Sequence, residues 1–273
     1  MTAWNEHTIE TAQGAVPVRV TGKRSGAAPV VLHLHGGAFT GGSVETSQRL
    51  PALIAQAGAV AVSADYPLAP AQPFPNALDA MFDVFSALQR CCAELASRRS
   101  AIFVAGEEAG GNLAAGLALM ARDRRAALAG QILVSPMLDP VMGTCSLRSA
   151  EAGAVGCPWA DGWHAYLGSP DKAAHPYAAP LSASRLAGVA PTLVLSAEDD
   201  PLRDESETYA RRLRDAGVRV QHAVVPAPTG WPFAFSGPGD DASWEPAVVA
   251  QLKTFFTTVV ARRTAASILS MPA

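Results

Sequence analysis

Two adjacent carboxylates, Glu107 and Glu108, stand inside a glycine frame in the stretch VAGEEAGGN at 104–112, with Gly106 and Gly110 on either side. A strand-forming run, AIFVA at 101–105, leads into the frame, and an apolar helical run, AGGNLAAGLALMA, leads out of it. Glu108 therefore sits on a strand-to-helix turn. A carboxylate there has two chemistries open to it: attack on carbon to form an ester, or removal of a proton from a substrate. The first needs a further group to activate the water that hydrolyses the ester. The second needs a pKa raised toward working pH, whereas the N-terminus of the following helix favours the charged form. A third outcome is no turnover at all, with the carboxylate folded onto backbone N–H groups as a bound anion.

Other chemistry-bearing residues gather at similar places. HGGAF at 35–39, EDDPLRD at 198–204 and PAPTGWPF at 226–233 each follow an apolar run. His164 and His175 lie in a Gly-, Pro-, Ser- and Ala-rich stretch at 137–190, and either is a candidate replacement base, although a lid segment mounts catalytic groups poorly. His222 falls within a strand-like run, which suits a core or edge role. Four cysteines, Cys91, Cys92, Cys145 and Cys157, match no zinc or redox spacing and read as reduced thiols.

The elements that must position these residues are legible from periodicity. EHTIETA and VPVRVTG flank QG, predicting an opening antiparallel hairpin. Short continuous apolar runs follow at 29–35, 59–64, 101–105, 131–136, 191–197 and 218–225, as expected of strands buried on both faces of a parallel sheet. Between them, Leu78, Met81, Phe85, Leu88 and Cys92 step by three and four along one helix face. DPLRDESETYARRLRDAG begins with acids, ends with arginines and stops at Gly217. Alternation of strand and helix predicts right-handed crossovers with helices on both faces. Ligands of such sheets bind at the carboxyl ends of the strands, where the four unusual segments converge. The 137–190 stretch reads as a lid-like insertion in a single domain spanning 1–273.

The whole chain sets outer bounds. Its 273 residues are ample for a large core, and 49% hydrophobic with 16% charged residues describes an ordinary globular protein. A formal charge of −3 argues against nucleic acid or an anionic membrane as partner. The opening MTAWNEHTIE has no basic head or apolar run, so no signal peptide is expected, and no apolar stretch reaches membrane-spanning length. A cytosolic location follows as an expectation.

HGGAF (35–39), DYPLAPAQPFPNALDA (65–80), the glycine frame around Glu108, SPMLD (135–139) and DPLRDESETYARRLRDAGV (200–218), in that order, resemble the hormone-sensitive-lipase-like esterase/lipase branch of the α/β-hydrolases over nearly all the chain after about residue 29. The resemblance implies an α/β-hydrolase fold with a mostly parallel sheet, no metal and no organic cofactor. It implies a serine nucleophile at the elbow, a histidine base and an orienting aspartate, with backbone amides holding the oxyanion. Carried onto this chain, those positions hold Glu108, Trp231 and Asp200, and the oxyanion amides fall to Gly36, Gly37 and Ala109, with Ala38 replacing a frequent glycine. Indole donates a hydrogen bond and accepts no proton, so the ordinary serine-esterase route is excluded.

Three readings stay open on the residues: Glu108 as nucleophile, Glu108 as general base, or a vestigial pocket that binds a small carbonyl or carboxylate compound. In the last, Glu108 lies on the oxyanion amides and Trp231 gives its N–H to Asp200, much as the plant gibberellin receptors resemble this family yet lack its histidine. Edge strands of the family often pair, so the resemblance allows a homodimer. The segment before HGGAF is short for the family's helical cap, which implies a shallower, more open pocket walled by Trp159 and Trp163.

Overall fold

The computed structural model describes residues 4–23, 25–151, 158–237 and 242–269. The opening hairpin forms from β1 (Trp4–Thr11) and β2 (Gly14–Thr21), paired antiparallel in register from Trp4↔Thr21 to Thr11↔Gly14. Each of the six apolar runs becomes a strand: β3 (Val30–Leu34), β4 (Val60–Ala64), β5 (Ile102–Glu107), β6 (Gly130–Val134), β7 (Thr192–Ala197) and β8 (Val220–Val225). They join one sheet of order β1-β2-β4-β3-β5-β6-β7-β8, in which β3 to β8 run parallel and β2 meets β4 antiparallel. β3, β4, β5, β6 and β7 are buried throughout, as their continuous apolar character requires.

Helices cover both faces. Between β4 and β5, α2 (Asn76–Leu95) buries the stripe Leu78, Met81, Phe85, Leu88 and Cys92 that its spacing predicts. α3 (Ala109–Asp123) is buried from Ala109 to Ala121, because it lies centrally on the sheet beneath the insertion. α6 (Arg203–Asp215) has acids in its first turn and arginines in its last, complementing the helix dipole, and ends before Gly217 at φ 79°. These helices share one hydrophobic cluster with Val30, Leu32 and Leu34 of β3. On the opposite face, a second cluster joins Val31, Phe103 and Leu195 to α1 (Arg49–Gln56) and α7 (Glu245–Leu269), two helices the sequence reading did not single out. Residues 137–190 carry α4 (Cys145–Glu151) and α5 (Pro158–Leu167). Cys91, Cys92 and Cys145 are free thiols, and Cys157 lies outside the described residues. Among the described residues, no helix is long and apolar enough to cross a membrane.

Candidate functional site

β5 ends at Glu107 and α3 begins at Ala109, leaving Glu108 alone on the turn with φ 53° and ψ −117°. A left-handed backbone is unfavourable for a residue with a Cβ and persists only where surroundings fix it. Here the Glu108 N–H donates to Val134 O at 3.1 Å, and its carbonyl accepts from Met137 N at 3.0 Å. Gly110 is obligatory in the frame, because a Cβ there would run into the carbonyl oxygens of Leu34 and His35.

Glu108 is 7% exposed, and three N–H donors meet its carboxylate. Oε2 accepts hydrogen bonds from the amides of Gly37 and Ala38, the latter at 3.1 Å. Oε1 accepts the Trp159 indole N–H at 2.5 Å. Burial pushes its pKa up, and the Gly37, Trp159 and Ala38 donors only partly pull it back. Desolvation is the largest of these influences on Glu108. The expected oxyanion amides are placed as follows, with Gly37 N on Glu108 Oε2. Gly36 N turns instead to Glu107 Oε1 at 3.1 Å, and Ala38, at φ 48°, stands beside Gly37 in its place. Ala109 opens α3 directly after Glu108 and is fully buried.

Glu107 holds this loop. Its carboxylate accepts from Gly36 N, from Ser47 Oγ, and meets His33 Nε2 at 2.9 Å, while His33 Nδ1 lies 3.0 Å from Ser63 Oγ. Burial would raise its pKa, but His33, Ser47 and Gly36 together hold it below its ordinary value. Glu107→Ala is expected to cost about 3–5 kcal/mol, since it leaves three buried donors without their acceptor. A lowered urea midpoint with an unchanged m-value would show it.

Asp200 is 2% exposed, and its expected contact with Trp231 does not form. Ser135 Oγ donates to Asp200 Oδ2 at 2.7 Å, and Leu202 N donates to Oδ1 at 2.9 Å. Burial raises its pKa to about 6 against these bonds. Trp231 turns to the α7 face, with ring centroids 4.9 Å from Phe235 and 5.1 Å from Trp244. Its Nε1 has no partner among the described residues. The physical reason is the gain from burying a large aromatic surface in an apolar cluster, which exceeds one hydrogen bond to an acid already satisfied. The loop carrying Trp231 is instead tied by Asp199, which accepts from Thr229 N at 2.7 Å, Thr229 Oγ1 at 2.6 Å and Gly230 N at 3.1 Å.

His35 binds its neighbour's carbonyl, Gly36 O, at 2.7 Å and stacks on Tyr66. His164 is exposed on α5. His175 lies against the rings of Phe74 and Tyr177, and His222 is half-buried on β8. None of these, nor His7 or His33, bonds Glu108 or Asp200 among the described residues.

The roof is closed rather than open. Trp159 is 5% exposed and stacks on Phe233 with centroids 5.4 Å apart. One helical turn on, Trp163 packs on Phe39 at 5.1 Å, and Tyr166 stacks on the same ring at 4.0 Å. α5 comes this close because residue 162 is glycine: a Cβ there would collide with the Ala38 carbonyl. Among the described residues, no cluster of three His, Cys, Asp or Glu side chains is placed to hold a metal ion.

Sequence reasoning missed Ser135, Asp199 and the donor role of Trp159. Ser135 stood in the SPMLD motif and Asp199 beside Asp200, so both carried a signal; Trp159, 51 residues from Glu108, carried none for its hydrogen bond.

The fold has known counterparts. A model of the α/β hydrolase fold family matches residues 31–229. The chain is 33% identical over 193 residues to an arylesterase of Saccharolobus solfataricus, covering 69% of this chain and 63% of the relative. It is 34% identical over 210 residues to an ethyl acetate hydrolase of Pseudomonas putida, covering 74% and 65%. The matched region thus spans just under two thirds of those relatives' length. Among solved structures, an arylesterase superposes with a TM-score of 0.82 at 28% identity, over 93% of this chain and 85% of that one. The order of the sheet, the strained elbow at residue 108 and these relatives together make the chain a member of the α/β-hydrolase family, in its esterase/lipase branch.

Proposed function

We propose that this protein is an esterase-like α/β-hydrolase that does not run the serine-hydrolase reaction, and that its elbow pocket is a binding site for a small carbonyl or carboxylate compound. The observation that carries the reading is the occupancy of the loop amides: the Glu108 carboxylate lies on the Gly37 and Ala38 N–H groups, where an oxyanion would have to develop. Trp231 at the position of the base supports it, being unable to accept a proton and turned to the opposite face of the sheet.

The alternative, in which Glu108 is a nucleophile or general base for ester hydrolysis or a lyase reaction, draws on the raised pKa of Glu108. It requires a carboxylate free to reach substrate and a group to activate water. Both Glu108 oxygens are engaged by donors, and no histidine stands beside them. The non-catalytic reading is favoured on that ground.

The test is hydrolysis of p-nitrophenyl acetate and butyrate by the purified protein. The expected rate is that of buffer alone. Turnover above buffer that vanishes in Glu108→Ala would overturn the reading and make the glutamate the reagent.

A further inference from the structure

Three N–H donors converge on the Glu108 carboxylate from two separate elements. Gly37 and Ala38 come from the loop after β3, and Trp159 comes from α5 in the insertion. Each is held by contacts independent of Glu108. Gly37 O accepts from Thr40 N and Gly41 N at 3.1 and 2.9 Å, Ala38 lies against Gly162, and Trp159 is stacked on Phe233. Donors held in this way remain aimed at one point when the side chain they surround is removed, which is the condition for a preorganised site. No charged donor takes part, so the selectivity lies in geometry: two oxygens of one planar group, both accepting.

We propose that the Gly37 and Ala38 amides and the Trp159 indole form a binding site for small monocarboxylates, whose resident occupant in this chain is the side chain of Glu108. The proposal rests on the non-hydrolytic reading in taking Glu108 as an occupant rather than a reagent. It goes beyond that reading by narrowing the ligand to a monocarboxylate, by assigning Trp159 as the third donor, and by making Glu108 a tethered competitor for any outside carboxylate.

The covalent structure of glutamate fixes which probe fits. Glu108→Ala deletes the Cγ methylene and the carboxylate, the heavy atoms of acetate. Glu108→Gly deletes Cβ as well, and the missing atoms are those of propionate. Glycine also relieves the left-handed backbone at φ 53°, so this second variant carries the experiment if alanine is poorly tolerated there.

Sodium acetate and sodium propionate are titrated into wild type and both variants by calorimetry and tryptophan fluorescence at constant ionic strength, with chloride and acetamide as controls. Acetate is expected to bind Glu108→Ala at least about tenfold more tightly than wild type, as for a charged acceptor regaining buried donors. Glu108→Gly is expected to prefer propionate. Acetamide is expected not to bind, because its NH₂ would face a donor. Adding Trp159→Phe to Glu108→Ala is expected to weaken acetate about tenfold or more. Folded variants that bind acetate and propionate no better than wild type would overturn the proposal, as would equal binding of acetamide or indifference to Trp159→Phe. Ester hydrolysis by the wild type would overturn the non-hydrolytic reading alone, so the two failures are read out separately.

Discussion

Trp231→Ala will lower stability by about 3–5 kcal/mol, the range for emptying a buried large aromatic site. Trp231 is 1% exposed and wedged between Phe235 and Trp244, inside the cluster that seats α7. Its indole N–H has no partner among the described residues, so Trp231→Phe removes an unsatisfied donor along with some volume and is expected to cost much less. Trp231→His should behave more like alanine, because it buries a smaller polar ring among apolar neighbours. A histidine placed at 231 would therefore sit in the cluster beneath α7. Glu108→Ser combined with Trp231→His is accordingly expected to stay at background on p-nitrophenyl acetate. Urea denaturation of the three single variants and an esterase assay on the double one check both parts.

The second large effect is a dependence of stability on pH that belongs to Glu205. This carboxyl is 4% exposed and receives the amides of Leu138 and Asp139 at 2.9 and 2.8 Å on one oxygen. Burial pushes its pKa up to about 8, the two amides oppose this, and Asp139 and Asp200 add to the rise. Unfolded glutamate titrates near 4.3, so between roughly pH 4.3 and 8 the native state holds a proton the unfolded chain has released. Stability from this group is present below the unfolded pKa and is lost as pH rises toward the folded one. Asp200, raised to about 6, acts in the same direction over the lower part of the window. The wild type should thus lose on the order of a few kcal/mol between pH 5 and pH 8. Glu205→Gln, which keeps an acceptor for the two amides and cannot ionise, should lose distinctly less. Parallel pH profiles in the two proteins would refute the assignment.

Much of the architecture was legible because it rests on short-range pattern. Continuous apolar runs marked all six parallel strands, and the three-and-four spacing of α2 marked its buried face. α7 escaped because VVAQLKTFFTTVVA is rich in β-branched residues, whose local preference points away from helix. Packing of Val248, Leu252, Phe255 and Phe256 against the sheet overrides that preference. At the site, the fold of Glu108 onto loop amides was one of three readings that a carboxylate, a helix start and a glycine loop in one place left open. The failures were of direction and distance. Sequence fixes that Trp231 stands in the turn after β8, but the side of the sheet it faces depends on how α7 packs. An open pocket was expected from a short N-terminal segment, whereas a single glycine at 162 lets α5 settle on the loop.

The turn from Trp231 to Phe235 has a consequence of its own. Trp231 and Phe235 are embedded beneath α7, while Phe233, between them in sequence, lies flat on Trp159 above Glu108. One five-residue span thus acts as a rivet through the rim of the sheet, its shank in one hydrophobic layer and its head on the other. The same short turn therefore joins the layer beneath α7 to the indole that holds Glu108, through one aromatic stack.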